Sequence, residues 1–304
     1  MKNILIVNRQ TTNCGVHQYG LNIYESLKKS KNNNYHYLET NNVTTLNNFL
    51  NNNKIDIIVF NYIIWVMGWI TDEIVNQLSS QYNCYFIYHD GDLKFSNVKG
   101  ILYNDPTKIV DNVTEHNINR CLFDFKPSKN KQNNERPIIS SFGFGFPDKG
   151  FHNLINKINE EFTDSLIRFH IPNANVDINN HLKNTTLNLC NNMLNGKNEF
   201  IITDHYMSNS ELLEWLNESS INCFFYDKKH SKGVSSVIDY ALSVDVPIAV
   251  TNCNMMRHIF CDEICIENNK ISTIIDSGCD PLLKNKIKWS NKNFIDNFDL
   301  IMNT

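Results

Sequence analysis

The chain has 304 residues, more than one core of typical size needs and enough for two of about 150 each. A hydrophobic fraction of 41% and a charged fraction of 20% are those of a globular protein, and a formal net charge of −4 carries none of the basic excess that nucleic acid or an anionic membrane surface would demand. The nine cysteines (14, 84, 121, 190, 223, 253, 261, 265 and 279) contain no Cys-x-x-Cys pair, which excludes the usual zinc and dithiol motifs and points to free thiols in a reducing, cytoplasmic setting.

The N-terminus predicts a strand over Asn3–Asn8, because its apolar run is only four residues, short of the 7–15 of a signal peptide. A helix follows over Val16–Lys29, a strand over Tyr35–Leu38, a helix over Thr45–Asn52, a strand over Ile55–Tyr62, a helix over Thr71–Ser80 and a strand over Cys84–His89. The apolar stretch Tyr62–Ile70 is far below the roughly 18 residues a membrane span needs. Ile-Asp-Ile-Ile-Val-Phe and Asn-Cys-Tyr-Phe-Ile-Tyr are almost continuously apolar, as strands covered on both faces of a parallel sheet are. Between Lys126 and Pro137 the pattern stops in a polar, proline-bounded linker.

The alternation then restarts. Strands are expected over Ile138–Phe142, Leu166–Ile171, Glu199–Thr203, Asn222–Tyr226, Pro247–Thr251 and Glu263–Ile266, and helices over Phe151–Phe162, Asn179–Leu194, Ser210–Glu218 and Val234–Val244. A last helix, Ser290–Asn303, carries Phe294, Ile295, Phe298, Ile301 and Met302 at helical spacing. The reading is α/β: two Rossmann-like, doubly wound parallel-sheet domains, residues 1–130 and 137–285, facing across a cleft, with residues 286–304 a terminal helix that packs back on the first. Asparagine supplies 50 residues, which fill turns and solvated helix faces without interrupting the apolar periodicity.

Ligands of open α/β sheets bind beyond the carboxyl ends of the strands, and four strand-end loops stand out. Asn13–Gly20 places Gly15 and His17 at the opening of the first helix, where free N–H groups favour an anion. Tyr88–Asp92 offers His89, Asp90 and Asp92 for sugar hydroxyls or a proton. It is also the nearest approach to an Asp-x-Asp metal motif, and no metal is expected there or elsewhere. Phe142–Gly150 sets Lys149 just ahead of a helix, placed to neutralise a departing diphosphate. His230–Asn252 reads loop, helix and proline-led strand; Lys232 and Gly233 precede Ser235 and Ser236, whose hydroxyls suit phosphate oxygens, and Asp239 lies one turn on, where it suits ribose.

In this order and spacing the four loops resemble the GT-B glycosyltransferases of family 4, a retaining, nucleotide-sugar-dependent group. The resemblance runs from Asn3 to about Asn252 and rests on the glycine loop, His89, the Gly…Lys-Gly loop and Gly-x-Ser-Ser-x-x-Asp-x-Ala…Pro-x-x-x-Thr. It implies metal-independent transfer, with retention, of a sugar from a nucleoside diphosphate to a glycan, lipid or small-molecule acceptor. Catalysis would fall to His89 and Lys149. Gly15, Lys149, Lys232, Gly233, Ser235, Ser236 and Asp239 would lie on the donor side; His17, Asp90 and Asp92 would face the acceptor. Two departures stand out: the family's first donor-loop glutamate falls at Ser231, and its arginine falls at Phe144. They leave open a GT-B scaffold that binds without turnover, and GT-B folds also include viral DNA-base glycosyltransferases, which would need a basic face.

Overall fold

The structure is a computed structural model that describes residues 1–11, 13–89, 95–128, 136–227 and 233–304. Its chain forms two compact units. The first holds Met1–Cys121 and Lys288–Thr304 and also takes in Gly233 and Val234; the second spans most of Leu122–Ile287.

The first unit is built on strands β1 (Asn3–Asn8), β2 (Asn34–Glu39), β3 (Ile57–Tyr62), β4 (Asn83–Tyr88), β5 (Gly100–Tyr103) and β6 (Glu115–Asn117). All pair in parallel, in the order β2-β1-β3-β4-β5-β6. Helices α1 (Gly15–Leu27), α2 (Val43–Asn52) and α3 (Asp72–Ser79) make the crossovers. Alternate strand residues feed two cores. Ile4, Ile6, Ile57, Val59, Tyr85 and Ile87 pack on one face with α1; Leu5, Val7, Ile58, Phe60, Cys84 and Phe86 pack on the other with α2 and α3.

The second sheet holds β7 (Ile138–Phe142), β8 (Leu166–His170), β9 (Glu199–Thr203), β10 (Ile221–Phe224) and β11 (Ile248–Val250), all parallel, in the order β11-β10-β7-β8-β9. Helices α4 (Phe151–Glu161), α5 (His181–Met193), α6 (Asn209–Asn217), α7 (Val237–Ser243), α8 (Ile271–Ser277) and α9 (Leu283–Lys288) follow in chain order. A capping box fixes the start of α6: Ser208 accepts from the Glu211 N–H while the Glu211 carboxylate accepts from Ser208.

The last helix, α10 (Asn291–Asn303), belongs to the first unit, where Phe294, Phe298, Ile301 and Met302 enter the α1-side core. Its buried Asp299 accepts from the Ser30 hydroxyl (2.6 Å), Asn33 Nδ2 (2.9 Å), Asn32 Nδ2 (3.2 Å) and the Tyr35 hydroxyl (2.8 Å).

One predicted strand is corrected. Glu263–Ile266 is not a strand: Asp262–Ile264 forms a 3₁₀ turn, because the Cys265 N–H folds back on the Asp262 carbonyl. A single parallel bridge, Val250 to Cys265, is all that remains of strand pairing there. Helix α7 also starts at Val237 rather than Val234, since the Ser235 N–H bonds the Met255 carbonyl (3.0 Å) instead of opening a helix.

Candidate functional site

Each sheet has a crevice where the chain reverses its direction of winding: between β1 and β3 in the first unit, and between β7 and β10 in the second. The sequence-selected residues that the structure describes follow the carboxyl ends of β1 (Gly15, His17), β4 (His89), β7 (Lys149) and β10 (Gly233, Ser235, Ser236, Asp239).

In the first unit, β1 and β3 bring polar side chains into an otherwise apolar sheet. Asn8 and Asn61 are fully buried, so their amides need partners, and they find them in each other and in α1. Asn61 Nδ2 donates to Asn8 Oδ1 (2.9 Å) and to the Val16 carbonyl (2.7 Å); Asn8 Nδ2 donates to the His17 carbonyl (2.8 Å) and the Tyr37 hydroxyl (2.8 Å). The helix can approach this closely only because position 20 is glycine. A Cβ there would stand 2.5 Å from Asn61 Nδ2 and 2.6 Å from Asn8 Cγ.

His89, just past β4, joins the same network. Asn104 Nδ2 donates to its Nδ1 (3.0 Å), and its Nε2 donates to Asn61 Oδ1 (2.6 Å), a pairing that assigns the Nε2–H tautomer. Tyr19 meets the ring edge-on at 4.9 Å, and the buried Arg120 donates from Nη1 to the Asn104 carbonyl (2.8 Å). Burial first, and the Arg120 guanidinium second, push the imidazole down to about 3. His89 is therefore neutral at working pH, and both its nitrogens are already engaged.

His17, at the start of α1, donates from Nε2 to Glu39 Oε1 (2.8 Å), which also accepts from the Tyr37 hydroxyl (2.9 Å). Gly15 is exposed two residues earlier. Gly233, which clusters with this unit, stands against the His89 carbonyl, 3.0 Å from where its Cβ would be. Asp90, Asp92 and Lys232 lie outside the described residues.

In the second unit the loop Gly143–Gly150 is held between β10 and α5. Gly150 is left-handed (φ 64°), and a Cβ there would fall 1.8 Å from the Phe225 carbonyl oxygen. The Asp227 N–H donates to the Asp148 carbonyl (2.9 Å), stitching this loop to the end of β10. On the other side Thr186 Oγ1 donates to the Gly145 carbonyl (2.8 Å).

This double anchorage puts the Lys149 ammonium 4.0 Å from the centroid of the Tyr226 ring. Tyr226 is fixed in turn, its carbonyl accepting from Thr251 Oγ1 (2.7 Å) and its hydroxyl from Ser235 Oγ (3.3 Å). Ser235 is thus buried with both N–H and hydroxyl spent inside the protein, whereas Ser236 is half-buried and ends no side-chain cap. Asp239 is buried on α7, its carbonyl accepting from Ser243 Oγ (2.6 Å).

The structure therefore joins Lys149 and Ser235 through Tyr226, and His89 and His17 through Asn61 and Asn8. Asn8, Asn61, Asn104, Tyr37, Glu39 and Arg120 were not singled out by sequence. The signal was present for two of them: an amide inside or ending an apolar strand, as in Ile-Leu-Ile-Val-Asn8 and Val-Phe-Asn61-Tyr, must be hydrogen-bonded to be buried. Among the described residues no group of three or more His, Cys, Asp or Glu side chains is placed to hold a metal ion, and no helix is long and apolar enough to cross a membrane.

No protein-family model matches the chain, and no curated protein matches it. Solved structures do. Anabaena Alr3699/HepE, in complex with UDP and glucose, superposes with a TM-score of 0.67 at 10% identity over 100% of both chains. A glycosyltransferase from Rickettsia africae gives 0.67 at 12% identity, over 99% of this chain and 97% of that one. Sucrose-phosphate synthase from Thermosynechococcus elongatus gives 0.66 at 11% identity, over 100% and 98%.

The fold is GT-B.

Proposed function

We propose that this GT-B chain is a glycosyltransferase that moves a sugar from a nucleoside diphosphate donor, held by the second unit, to an acceptor held by the first. The observation that carries the reading is the placement of Lys149 over Tyr226 at the β7/β10 crevice, in a fold shared with a structure that binds UDP and glucose. A glycosyl transfer leaves negative charge on the departing diphosphate. A fixed ammonium at the strand end stabilises that charge without reorganising at the moment of reaction. Gly145 and Gly150 keep the loop backbone close to α5 and to the end of β10, so that Lys149 is aimed rather than free to swing. His89, neutral and hydrogen-bonded at both nitrogens, acts as a fixed dipole and wall of the acceptor side, not as a proton carrier. Because Lys149 supplies the positive charge, the reading calls on no metal.

A thermal-shift panel of UDP, GDP, ADP, CMP and dTDP tests it, since a ligand bound only by the folded state raises the melting temperature. One diphosphate, UDP first among them, is expected to stabilise the protein. The matching nucleotide sugar should turn over in the presence of EDTA, and Lys149→Ala should lower kcat by about 100-fold or more. No shift with any nucleotide would sink the reading. Binding without turnover across donors and acceptors would instead leave a nucleotide-binding scaffold, with Phe144 standing where the resembled family has its arginine.

A further inference from the structure

An acceptor hydroxyl that receives a sugar loses its proton, and His89 is not built to take it. Both its nitrogens are engaged and the ring is neutral. The first unit has three further histidines, at positions 17, 36 and 116. His36 lies inside β2 with its Nε2 buried, and His116 lies on β6, at the edge of the sheet away from β1. His17, after the carboxyl end of β1, is the one with a free nitrogen and an orienting carboxylate.

Its Nε2 donates to Glu39 Oε1 (2.8 Å), which fixes the tautomer and leaves the Nδ1 lone pair without a hydrogen bond among the described residues. The carboxylate is held in turn. The Tyr37 hydroxyl donates to the same Oε1 (2.9 Å), and burial raises that phenol far above its ordinary range, so it remains a neutral donor. Asn8 Nδ2 pins the other side, donating to the His17 carbonyl and to the Tyr37 hydroxyl (2.8 Å each). Asn8 and Asn61 (2.9 Å) then join the pair to His89 (2.6 Å), so one chain of bonds crosses the carboxyl ends of β2, β1, β3 and β4. Glu39 is the charge bonded to the imidazole. Helix α1 has no acidic residue in its first turn, and the cation at the end of β1, Arg9, donates to Cys14 Sγ. The His17 and Glu39 side chains are 12% and 34% exposed, so the pair meets solvent at the sheet edge rather than closing inside the core.

We infer that His17 is the general base of the transfer and that Glu39 is its positioning residue. Nδ1 takes the proton of the acceptor hydroxyl while the acceptor oxygen bonds the anomeric carbon. The bond from that carbon to the diphosphate oxygen breaks, and its electron pair leaves with the diphosphate. The proton then passes from Nδ1 to water. A base beside the nucleophile serves attack from the side opposite the leaving group, so the anomeric configuration inverts, in contrast to the retention that the family resemblance implies. The inference rests on the glycosyltransferase reading and assigns its proton.

The test gives the full chain two α-linked donors, UDP-glucose and GDP-mannose, with water or azide as the nucleophile, and follows rate and product anomer by NMR. Azide has no proton to lose and needs no base. With water, His17→Gln should lower kcat about 100-fold or more and remove the one-proton acid limb of the pH profile. Azide should restore most of that loss and give the β-linked glycosyl azide. Glu39→Gln should lower kcat by a smaller factor and move the acid limb to lower pH, because the anion that favours the imidazolium is gone. The nucleotide-induced melting shift should be the same in both variants as in the unsubstituted chain. An α-linked product, unchanged water turnover in His17→Gln, or a loss that azide does not restore would overturn the base while leaving the transferase reading intact. Consumption of neither donor by the unsubstituted chain would remove both.

Discussion

His89 stands where a catalytic histidine was expected, yet its environment removes the property that makes histidine a proton carrier. Asn104 and Asn61 occupy both ring nitrogens, and burial with Arg120 nearby holds the imidazole down to about 3. The sign of the stability effect follows. An unfolded histidine titrates near 6.5, so between about 6.5 and 3 the unfolded chain binds a proton that the native chain does not. This group's contribution is present at neutral pH and lost as pH falls through that window, by up to about 1.4 kcal/mol per pH unit. His170, lowered to about 4 by burial and then by His205, acts in the same direction in the second unit. Urea unfolding of the first unit at pH 7, 6 and 5 should show a shallower pH slope for His89→Gln than for the unsubstituted chain. Parallel slopes would mean that the imidazole is not held neutral.

At the scale of elements, turns carry more of the site than helices or strands do. Gly150 shows why. Its left-handed backbone strains any side chain, and a Cβ would meet the Phe225 carbonyl, a backbone atom that cannot swing aside. Gly196 is also left-handed (φ 74°), but nothing lies within 4 Å of a Cβ there. The pair separates strain from collision. Gly196→Ala should cost about 1 kcal/mol, the conformational part alone. Gly150→Ala should cost about 3 kcal/mol and also weaken nucleotide binding, because parting the loop from β10 moves Lys149 off Tyr226. Chemical denaturation with a nucleotide melting shift reads both; equal losses would show that the contact at Phe225 yields easily.

Elements also mark the limit of what sequence revealed. Long apolar strands such as β3 and β4 were legible because burial on both faces leaves an unbroken run. β5 and β6 were not. They are four and three residues long, Glu-His-Asn has no apolar member, and their pairing depends on a neighbour that only the fold supplies. The glycine setting marks Lys149 as a candidate in the sequence, but its seat on Tyr226 depends on two loops 77 positions apart. The Asn8–Asn61–His89 chain was hidden for the same reason: each residue is unremarkable locally, and the network exists only once β1, β3 and β4 lie side by side.

For the whole molecule, chain order and unit membership part company at the end. Residues 122–287 intervene between the first sheet and α10, yet α10 fills the first unit's core with Phe294, Phe298, Ile301 and Met302, and Asp299 gathers four hydrogen bonds from residues 30–35. Each unit otherwise has a core of its own, so the two should respond separately to loss of this helix. A chain ending at Trp289 removes two buried phenylalanines, Phe294 and Phe298, each worth several kcal/mol in a core, and leaves the Tyr35 hydroxyl without the carboxylate it bonds. Limited proteolysis with mass mapping should then cut within residues 1–121 while the segment 138–287 stays protected, and a nucleotide should still raise the melting temperature of what remains folded. Cleavage spread evenly over both units would show that their folding is one cooperative event, with the terminal helix closing the molecule as a whole rather than the sheet against which it packs.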